Sequence, residues 1–373
     1  RHLRSGTEPA APGRMRMLVA LWMAGTLIQG PAAAVTYDVY QVGIKRAELA
    51  SRGVGPRRTW TIKKKDLAAN TWAATRSAPG PAVATDTAFR LWGALQDLPR
   101  NFERLGTVDW HRLELVGWPD RHTVYERFRD LTATVGGREV HAVRWNRRDA
   151  SSPMDLVFDD GNGLVAAIDP RADIVLVRRG YEGFTTVQQW LSPGVSPATY
   201  GYRPLGRQMV PMADGVRLAT QVYLPSPATN GPFPTILIRT PYGIGGLIGG
   251  YWHYAARGYA VVLQAARGTS FGDPENRSEG TLELMIHEPA DGQAALEWVT
   301  RQPWSDGQIC MQGGSYVGYT QWTAAMSGNP ALKCLVPESS MGTAFADQPY
   351  VGGGMLMGMA FYTLFMHDTP LLP

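Results

Sequence analysis

The chain has 373 residues, of which 44% are hydrophobic, and a formal net charge of +4. This length is sufficient for two domains with hydrophobic cores, and the 42 Gly, 27 Pro and 12 Trp favour an α/β or β-rich protein over a helical bundle. The excess of basic residues lies within residues 1–76, but no basic helix and no pattern of stacking aromatics accompanies it, so the composition excludes a typical nucleic-acid-binding protein.

Residues 1–34 are interpreted as upstream residues followed by a signal peptide. A short basic region around Met15 precedes an apolar run at 18–28 and an Ala-rich end at 31–34. This pattern is typical of a secretory signal peptide, and the apolar run is too short to span a bilayer comfortably. We therefore predict an exported protein, periplasmic or extracellular, whose mature chain starts near Val35 and has no stable membrane span after cleavage.

Residues 35–200 form the predicted N-terminal region. Residues 35–80 are polar and basic and are interpreted as a solvated flank and a linker, and helical spacing follows at 88–105. From about residue 123 the pattern becomes β-rich. It predicts hairpins at 131–135 with 139–145 and at 155–158 with 164–168, and a further strand at 174–177.

Residues 201–340 alternate between predicted strands and helices. A hairpin at 208–224 is followed by strands and helices at 234–239, 251–257, 259–264, 288–301, 309–311, 316–326 and 332–337. Such alternation predicts an α/β fold with a mostly parallel sheet and right-handed crossovers. Ligands of such sheets bind beyond the carboxyl ends of the strands, where Tyr242, Arg267 and Ser315 fall.

The two cysteines, Cys310 and Cys334, each lie in a predicted buried strand. Neighbouring parallel strands are a poor place for a disulfide of normal geometry, so we predict two packed thiols. The sequence contains no His or Cys cluster of metal-ligand spacing, and we predict no metal site and no cofactor.

Ser315 lies between the predicted strand at 309–311 and the predicted helix at 316–326, in a turn crowded with glycine. One interpretation is a nucleophile elbow, in which a strained corner lifts the hydroxyl out of the sheet. The alternative is an ordinary glycine-rich turn in which Ser315 caps the following helix. The strict G-x-S-x-G pattern is not met, because Gly318 stands three residues after the serine. The pattern by itself supports both interpretations.

Several segments between residue 207 and about 345 occur in the order found in a known family. They are 210–218, 240–242, 257–262, 267–268, 291–292, 297–298, 302–307, 313–318 and 320–322. In these segments the chain resembles the cocaine-esterase-like (CocE/NonD) serine hydrolases, which are related to X-Pro dipeptidyl-peptidases and α-amino-acid ester hydrolases. The elbow of that family has its second glycine three residues after the serine, as Gly318 is here.

The resemblance implies an α/β-hydrolase core with a helical cap and a C-terminal jelly-roll domain. Here the core would be preceded by a small β-rich N-terminal domain and incomplete at its C-terminal side. The resemblance assigns the nucleophile to Ser315 and the oxyanion donors to the backbone N–H of Tyr316 and the phenol of Tyr242. A packed tyrosine after a proline turn is the alternative for Tyr242.

Two departures from the family stand out. Family members carry an acidic residue where this chain has Ala265, so we expect Arg267 to find a different partner or to be less constrained. The family's catalytic Asp and His lie well over a hundred residues after the serine. We therefore expect both to be absent from this chain, which would be the N-terminal portion of the enzyme, with 341–373 as the start of the helical cap.

Four nearer residues could in principle complete a triad. Asp347 and His367 follow the serine in the order Ser, Asp, His, but both lie in expected cap sequence and are interpreted as a solvated Asp and a surface His. His253 and His287 precede the serine and are assigned no triad role.

The sequence thus predicts an exported serine hydrolase that cleaves small carboxylic esters or amides through an acyl-enzyme on Ser315. The isolated chain is expected to be inactive for want of a base. The alternatives are an X-Pro dipeptidyl-peptidase, a β-lactam or α-amino-acid ester acylase, or a non-catalytic exported binding protein with the same fold. No nucleic-acid partner is predicted.

Overall fold

A computed structural model describes residues 35–52, 59–74, 76–78, 112–116, 122–147, 155–161, 163–170, 173–227, 231–343, 347, 350–352, 354–359 and 362. The predicted signal peptide and the predicted helix at 88–105 lie outside these residues, and both stay predictions. Within the described ranges, no helix has the length and apolar character needed to cross a bilayer.

The first part of the chain forms one antiparallel sheet of eleven strands. The strands are β1 (Val35–Gln41), β2 (Ile44–Arg52), β3 (Thr59–Asp66), β4 (Thr71–Trp72), β5 (Arg76–Ala78), β6 (Arg112–Val116), β7 (His122–Val135), β8 (Arg138–Arg147), β9 (Asp155–Asp159), β10 (Leu164–Asp169) and β11 (Ile174–Arg178). Their order is β4-β3-β2-β1-β11-β10-β9-β8-β7-β6, and β5 pairs with β3. The predicted β-rich region is therefore present, and the predicted hairpins are confirmed as β7–β8 and β9–β10.

The strands begin at Val35, and the interpretation of residues 35–80 as a solvated flank and linker is wrong where they are described. In β1 and β2 the side chains of Val39 and Leu49 are buried in the core, while charged residues such as Lys45 occupy other positions of the same strands. In β2 charged residues between the buried positions hide the alternation of a half-buried strand, and in β1 the charged Asp38 lies within a buried run of four residues. The region buries apolar side chains like any other sheet.

The second part of the chain forms a mixed sheet of six strands with helices. The elements are α1 (Val187–Trp190), β12 (Gly201–Pro211), β13 (Arg217–Ser226), β14 (Phe233–Thr240), α2 (Ile248–Ala256), β15 (Ala260–Ala265), α3 (Glu288–Thr300), β16 (Ser305–Gly314), α4 (Tyr316–Ala325) and β17 (Leu332–Glu338). The order is β12-β13-β15-β14-β16-β17. Strands β15, β14, β16 and β17 are parallel, and β12 and β13 add an antiparallel hairpin, as predicted. A short hairpin of β18 (Tyr350–Val351) and β19 (Gly354–Met355) follows.

Helices cover both faces of this second sheet. Strand β14 reads Phe-Pro-Thr-Ile-Leu-Ile-Arg-Thr, and its neighbouring side chains point to opposite faces. Ile236 and Ile238 pack with Ala255 of α2, whereas Leu237 packs with Leu296 of α3. Burial on both faces explains why the strand is a continuous apolar run.

The two sheets meet at α2. Trp252 and Ala256 of α2 are buried in a cluster with Ile44 of β2. Arg257, which follows α2, donates to the Val42 carbonyl over 2.8 Å. One face of the helix therefore contacts the first sheet while the other packs on the second.

Cys310 and Cys334 form a disulfide, so the prediction of two packed thiols is wrong. The parallel register of β16 and β17 places the two residues directly opposite each other, with 4.7 Å between their Cα atoms. That separation lies within the range of protein disulfides, because opposed residues of adjacent strands project to the same face. Strand β17 is the edge of the sheet, and Cys334 is exposed rather than buried.

Candidate active site

Ser315 stands alone between the last residue of β16 and the first residue of α4, with φ 59° and ψ −128°. A positive φ is costly for a residue with a side chain, and such strain is concentrated at functional sites. The backbone holds it in place, since Ser315 N–H donates to the Glu338 carbonyl over 2.9 Å and Gly318 N–H donates to the Ser315 carbonyl over 2.9 Å. The residue is exposed and its side chain makes no capping hydrogen bond, which contradicts the helix-cap interpretation.

The glycines around this turn are required by close contacts. A Cβ atom on Gly313, which has φ 138°, would lie 2.4 Å from Cγ1 of Val317. A Cβ atom on Gly318 would lie 2.5 Å from Cβ of Ser340. Both distances are far below van der Waals contact, so the glycine three residues after the serine is set by packing against the loop that follows β17.

The phenol of Tyr242 lies beside Ser315. Tyr242 follows β14, and its N–H donates to Oγ1 of Thr240 over 3.0 Å, which fixes the turn at the strand end. The phenol oxygen is 3.0 Å from Oγ of Ser315, and the backbone N–H of Tyr316 donates to it over 3.4 Å. The structure therefore brings together the three residues that the sequence singled out.

Tyr362 also reaches this group, and the sequence reasoning did not single it out. Its O–H donates to the Tyr242 oxygen over 3.1 Å, and the two rings meet edge to face with centroids 6.4 Å apart. Burial and this hydrogen bond raise the pKa of the Tyr362 phenol above its usual value. No spacing or motif marks Tyr362, because it lies in a short apolar stretch whose position depends on tertiary contacts.

The side chain of Tyr316 is anchored beneath the turn. Its O–H donates to Oε1 of Glu288 over 2.9 Å, and the N–H of Met285 donates to its oxygen over 3.3 Å. Glu288 in turn lies 2.9 Å from the Arg239 guanidinium, with both side chains buried. Burial and the Glu288 charge raise the pKa of the Tyr316 phenol. These contacts of the side chain hold Tyr316, and with it the backbone N–H that faces the site, in place.

Arg267 does not join the site, although it falls beyond a strand end. Its guanidinium bonds to Asp291 and to Asp214, with shortest contacts of 2.6 Å to each. The hydrogen bond to Asp291 is the largest cause of a raised pKa for Arg267. The expectation that Arg267 finds a different partner is confirmed, and the alternative of a less constrained side chain is wrong, since Arg267 is buried. This arginine links the turn between β12 and β13, the end of β15 and α3.

The described His and Asp candidates are engaged elsewhere. The ring of His253 lies against that of Tyr254 within α2, with centroids 4.2 Å apart and an angle of 37° between the ring planes. His287 lies 3.2 Å from Glu283 at the start of α3. Asp347 is exposed, as expected for a solvated Asp, and accepts hydrogen bonds from the backbone N–H groups of Gly342 and Thr343.

His367 lies outside the described residues. Among the described residues, the side chain of Ser315 has one hydrogen-bond partner, Tyr242. No triad role is therefore supported for the three described candidates.

The arrangement can stabilise negative charge on an oxygen placed next to Ser315. The Tyr242 phenol lies 3.0 Å from Oγ of Ser315, and the Tyr316 N–H, which bonds to that phenol over 3.4 Å, lies beside it. An oxyanion at Ser315 could accept from both groups, and the N-terminus of α4 adds its dipole. In the described part of the chain, no group of three or more His, Cys, Asp and Glu side chains is arranged for a metal ion.

Residues 214–369 match the family model of the X-Pro dipeptidyl-peptidases (S15 family). The chain is 36% identical over 161 residues to the cocaine esterase of Rhodococcus sp. (strain MB1 Bresler), a match that covers 42% of this chain and 27% of that protein. Two solved structures are also similar. An α-amino acid ester hydrolase is 29% identical, covering 42% of this chain and 28% of that one with a TM-score of 0.33. A CocE/NonD family hydrolase from Staphylococcus aureus is 26% identical, and the match covers 45% of this chain and 34% of that chain with a TM-score of 0.38.

These sequence matches confirm the resemblance stated from the motifs, and the family model covers the region that carries Tyr242 and Ser315. The chain spans about a quarter of the length of the curated relatives it matches.

Proposed function

From the match of residues 214–369 to the S15 peptidase family, we propose that this protein is an exported serine hydrolase that cleaves a carboxylic ester or amide through an acyl-enzyme on Ser315. The observation that carries the proposal is the outward turn of Ser315 at φ 59°, with its Oγ 3.0 Å from the Tyr242 phenol. A serine that served only the fold would not require a strained backbone and an exposed hydroxyl.

In the proposed reaction, Oγ of Ser315 attacks the acyl carbon and its proton passes to a base. The carbonyl oxygen becomes an oxyanion and accepts hydrogen bonds from the Tyr316 N–H and the Tyr242 O–H. The leaving alcohol or amine takes the proton, and water then hydrolyses the acyl-enzyme by the same steps. We assign the base to a histidine outside the described residues, since Tyr242 is the described partner of Ser315.

The second sheet supports an α/β-hydrolase core as the fold of this region. Its parallel strands β15, β14, β16 and β17 follow an antiparallel hairpin, with α2 and α3 on opposite faces. The serine lies at the carboxyl end of β16, which is where ligands of parallel sheets bind.

The disulfide supports export. Disulfides persist in oxidising compartments, such as the periplasm and the extracellular space, and are rare in the cytosol. The bond between Cys310 and Cys334 agrees with the signal-peptide pattern at residues 1–34, and we propose on these two grounds that the mature protein is secreted.

A fluorophosphonate probe tests the proposal, because it reacts only with an activated serine next to an oxyanion site. Peptide mass spectrometry should find the adduct on Ser315, and Ser315→Ala should abolish it. Tyr242→Phe should slow labelling by about 10²-fold or more, the cost of one oxyanion donor. Ser192→Ala removes another exposed serine and should leave labelling unchanged. The probe is applied to the full-length protein, because the isolated 373-residue chain is expected to lack the base. An unlabelled Ser315 in that folded protein would overturn the proposal and favour a non-catalytic binding protein.

The description of the matched family favours an X-Pro dipeptidyl-peptidase as a second candidate. Hydrolysis of an Ala-Pro anilide distinguishes it from the esterase, which would cleave a p-nitrophenyl ester and spare the anilide. An enzyme that prefers the anilide by kcat/KM is the peptidase.

A further inference from the structure

The hydroxyl of Tyr242 has three polar neighbours, whose donors determine where its own proton points. Tyr362 O–H donates to it over 3.1 Å and Tyr316 N–H donates to it over 3.4 Å. A phenol oxygen carries one proton, and these two accepted bonds use its lone pairs. The remaining contact, 3.0 Å to Oγ of Ser315, is the one to which Tyr242 can donate.

We propose that Tyr362 is a positioning residue for Tyr242: its O–H donates to the Tyr242 oxygen and so directs the Tyr242 proton at Ser315 and at the oxyanion that forms there. The catalytic consequence rests on the proposed function. Tyr362 acts through Tyr242 and bonds to the phenol oxygen rather than to the reacting atoms. A hydrogen bond accepted by a phenol also makes that phenol a stronger donor, because linked hydrogen bonds polarise one another.

The packing around Tyr242 allows the hydroxyl of Tyr362 to be tested apart from its ring. The Tyr242 ring lies edge to face with the rings of Tyr362 and Phe271, each with a centroid distance of 6.4 Å. Tyr362→Phe keeps the ring contact and removes the donor alone. Tyr200→Phe is the matched control, since the Tyr200 hydroxyl has no hydrogen-bond partner among the described residues.

The first measurement is the fluorine NMR chemical shift of 3-fluorotyrosine placed at position 242. Tyr362→Phe should change this chemical shift, because the phenol oxygen of residue 242 loses a hydrogen bond that it accepts. Tyr200→Phe should leave it unchanged. Tyr362→Phe keeps the ring contact, so an unchanged chemical shift in folded Tyr362→Phe protein overturns the proposal.

The second measurement is the affinity for phenylboronic acid. Its tetrahedral adduct on Ser315 places an oxygen where it can accept hydrogen bonds from the Tyr242 O–H and the Tyr316 N–H. Tyr362→Phe should weaken binding by about two- to tenfold. 3-Fluorotyrosine at position 362 should strengthen it, because a more acidic phenol is a better donor. Changes of equal sign in the two variants would overturn the proposal. If the unaltered protein does not bind the boronic acid, the proposed function fails, and the NMR measurement still decides the role of Tyr362.

Discussion

Glu288 and Arg239 form an ion pair of 2.9 Å directly beneath the turn that carries Ser315, with side-chain exposures of 2% and 0%. Glu288 also accepts a hydrogen bond from the phenol of Tyr316. This one carboxylate, at the start of α3, therefore links Arg239 of strand β14 to Tyr316, the residue after the serine. The arrangement fixes the position of the Tyr316 backbone without contact to a substrate.

Removal of one member of this pair should be strongly destabilising. Glu288→Gln leaves the buried Arg239 charge with Asp291 alone, which lies 3.9 Å away. Asp291 is already paired with Arg267, so we expect a loss of about 3 kcal/mol in the free energy of unfolding. Urea denaturation measures the loss. The control is Glu297→Gln on the same helix, whose exposed pair with Arg301 spans 3.8 Å and should contribute less than about 1 kcal/mol. Equal losses in the two variants would contradict this assignment.

Gly318→Ala should destabilise the protein although the position is helical. A Gly-to-Ala change inside a helix ordinarily stabilises by about 0.5–1 kcal/mol. Here the new Cβ would lie 2.5 Å from Ser340 Cβ, and such overpacking costs about 1–3 kcal/mol. Thermal melting of Gly318→Ala and Gly250→Ala compares a blocked site with an open one, since nothing lies within 4 Å of a Cβ on Gly250. A higher melting temperature for Gly318→Ala would refute the packing argument.

Reduction of the disulfide should lower stability. Cys310 and Cys334 are separated by 24 positions, and a bridge that closes a loop of this size contributes about 3 kcal/mol by restricting the unfolded chain. Urea denaturation with and without a phosphine reductant measures the effect. The double variant Cys310→Ala/Cys334→Ala should be insensitive to the reductant. An unchanged midpoint for protein whose thiols are shown to be free would rule out a structural role.

His253 should make the protein less stable in acid. Burial, and then the nearby Arg257 charge, lower the pKa of His253 to about 4, against about 6.5 in an unfolded chain. Above pH 6.5 the residue is neutral in both states and its contribution is complete. As the pH falls from 6.5 to 4 the unfolded chain binds a proton that the folded protein does not, so stability decreases by about 2–3 kcal/mol.

Urea denaturation at pH 7 and pH 4.5 measures this loss. His253→Gln should reduce the difference between the two pH values by about that amount. His141→Gln, at a position whose side chain is 60% exposed, should leave the difference unchanged. A pH dependence that is the same in all three proteins would show that His253 does not titrate as its burial requires.

Much of the second sheet could be predicted because its signals are local. Apolar runs of four to six residues separated by amphipathic helices define parallel strands with little ambiguity, and the turn before Tyr316 is marked by its glycines. The positions of Tyr242 and Ser315 at strand ends followed from the same pattern, and the structure places their oxygen atoms 3.0 Å apart.

What could not be predicted depends on register and long-range contacts. Cys310 and Cys334 are opposed only because β16 and β17 pair in one particular register, which no local pattern specifies. Strand β1 was missed because its buried run of four residues includes the charged Asp38, and strand β2 was missed because charged side chains stand between its buried positions. Tyr362 reaches Tyr242 from 120 positions away, and no spacing could reveal that.

The burial of Trp252 against Ile44 limits how the protein can be divided. A shortened protein that began at Tyr200 would leave the indole and the Ala256 methyl facing water, and the Arg257 guanidinium would lose the Val42 carbonyl. An exposed aromatic patch of this kind promotes self-association. Expression of the second sheet by itself would therefore require polar replacements at the positions of α2 that face the first sheet. In the longer chain the first sheet covers these positions.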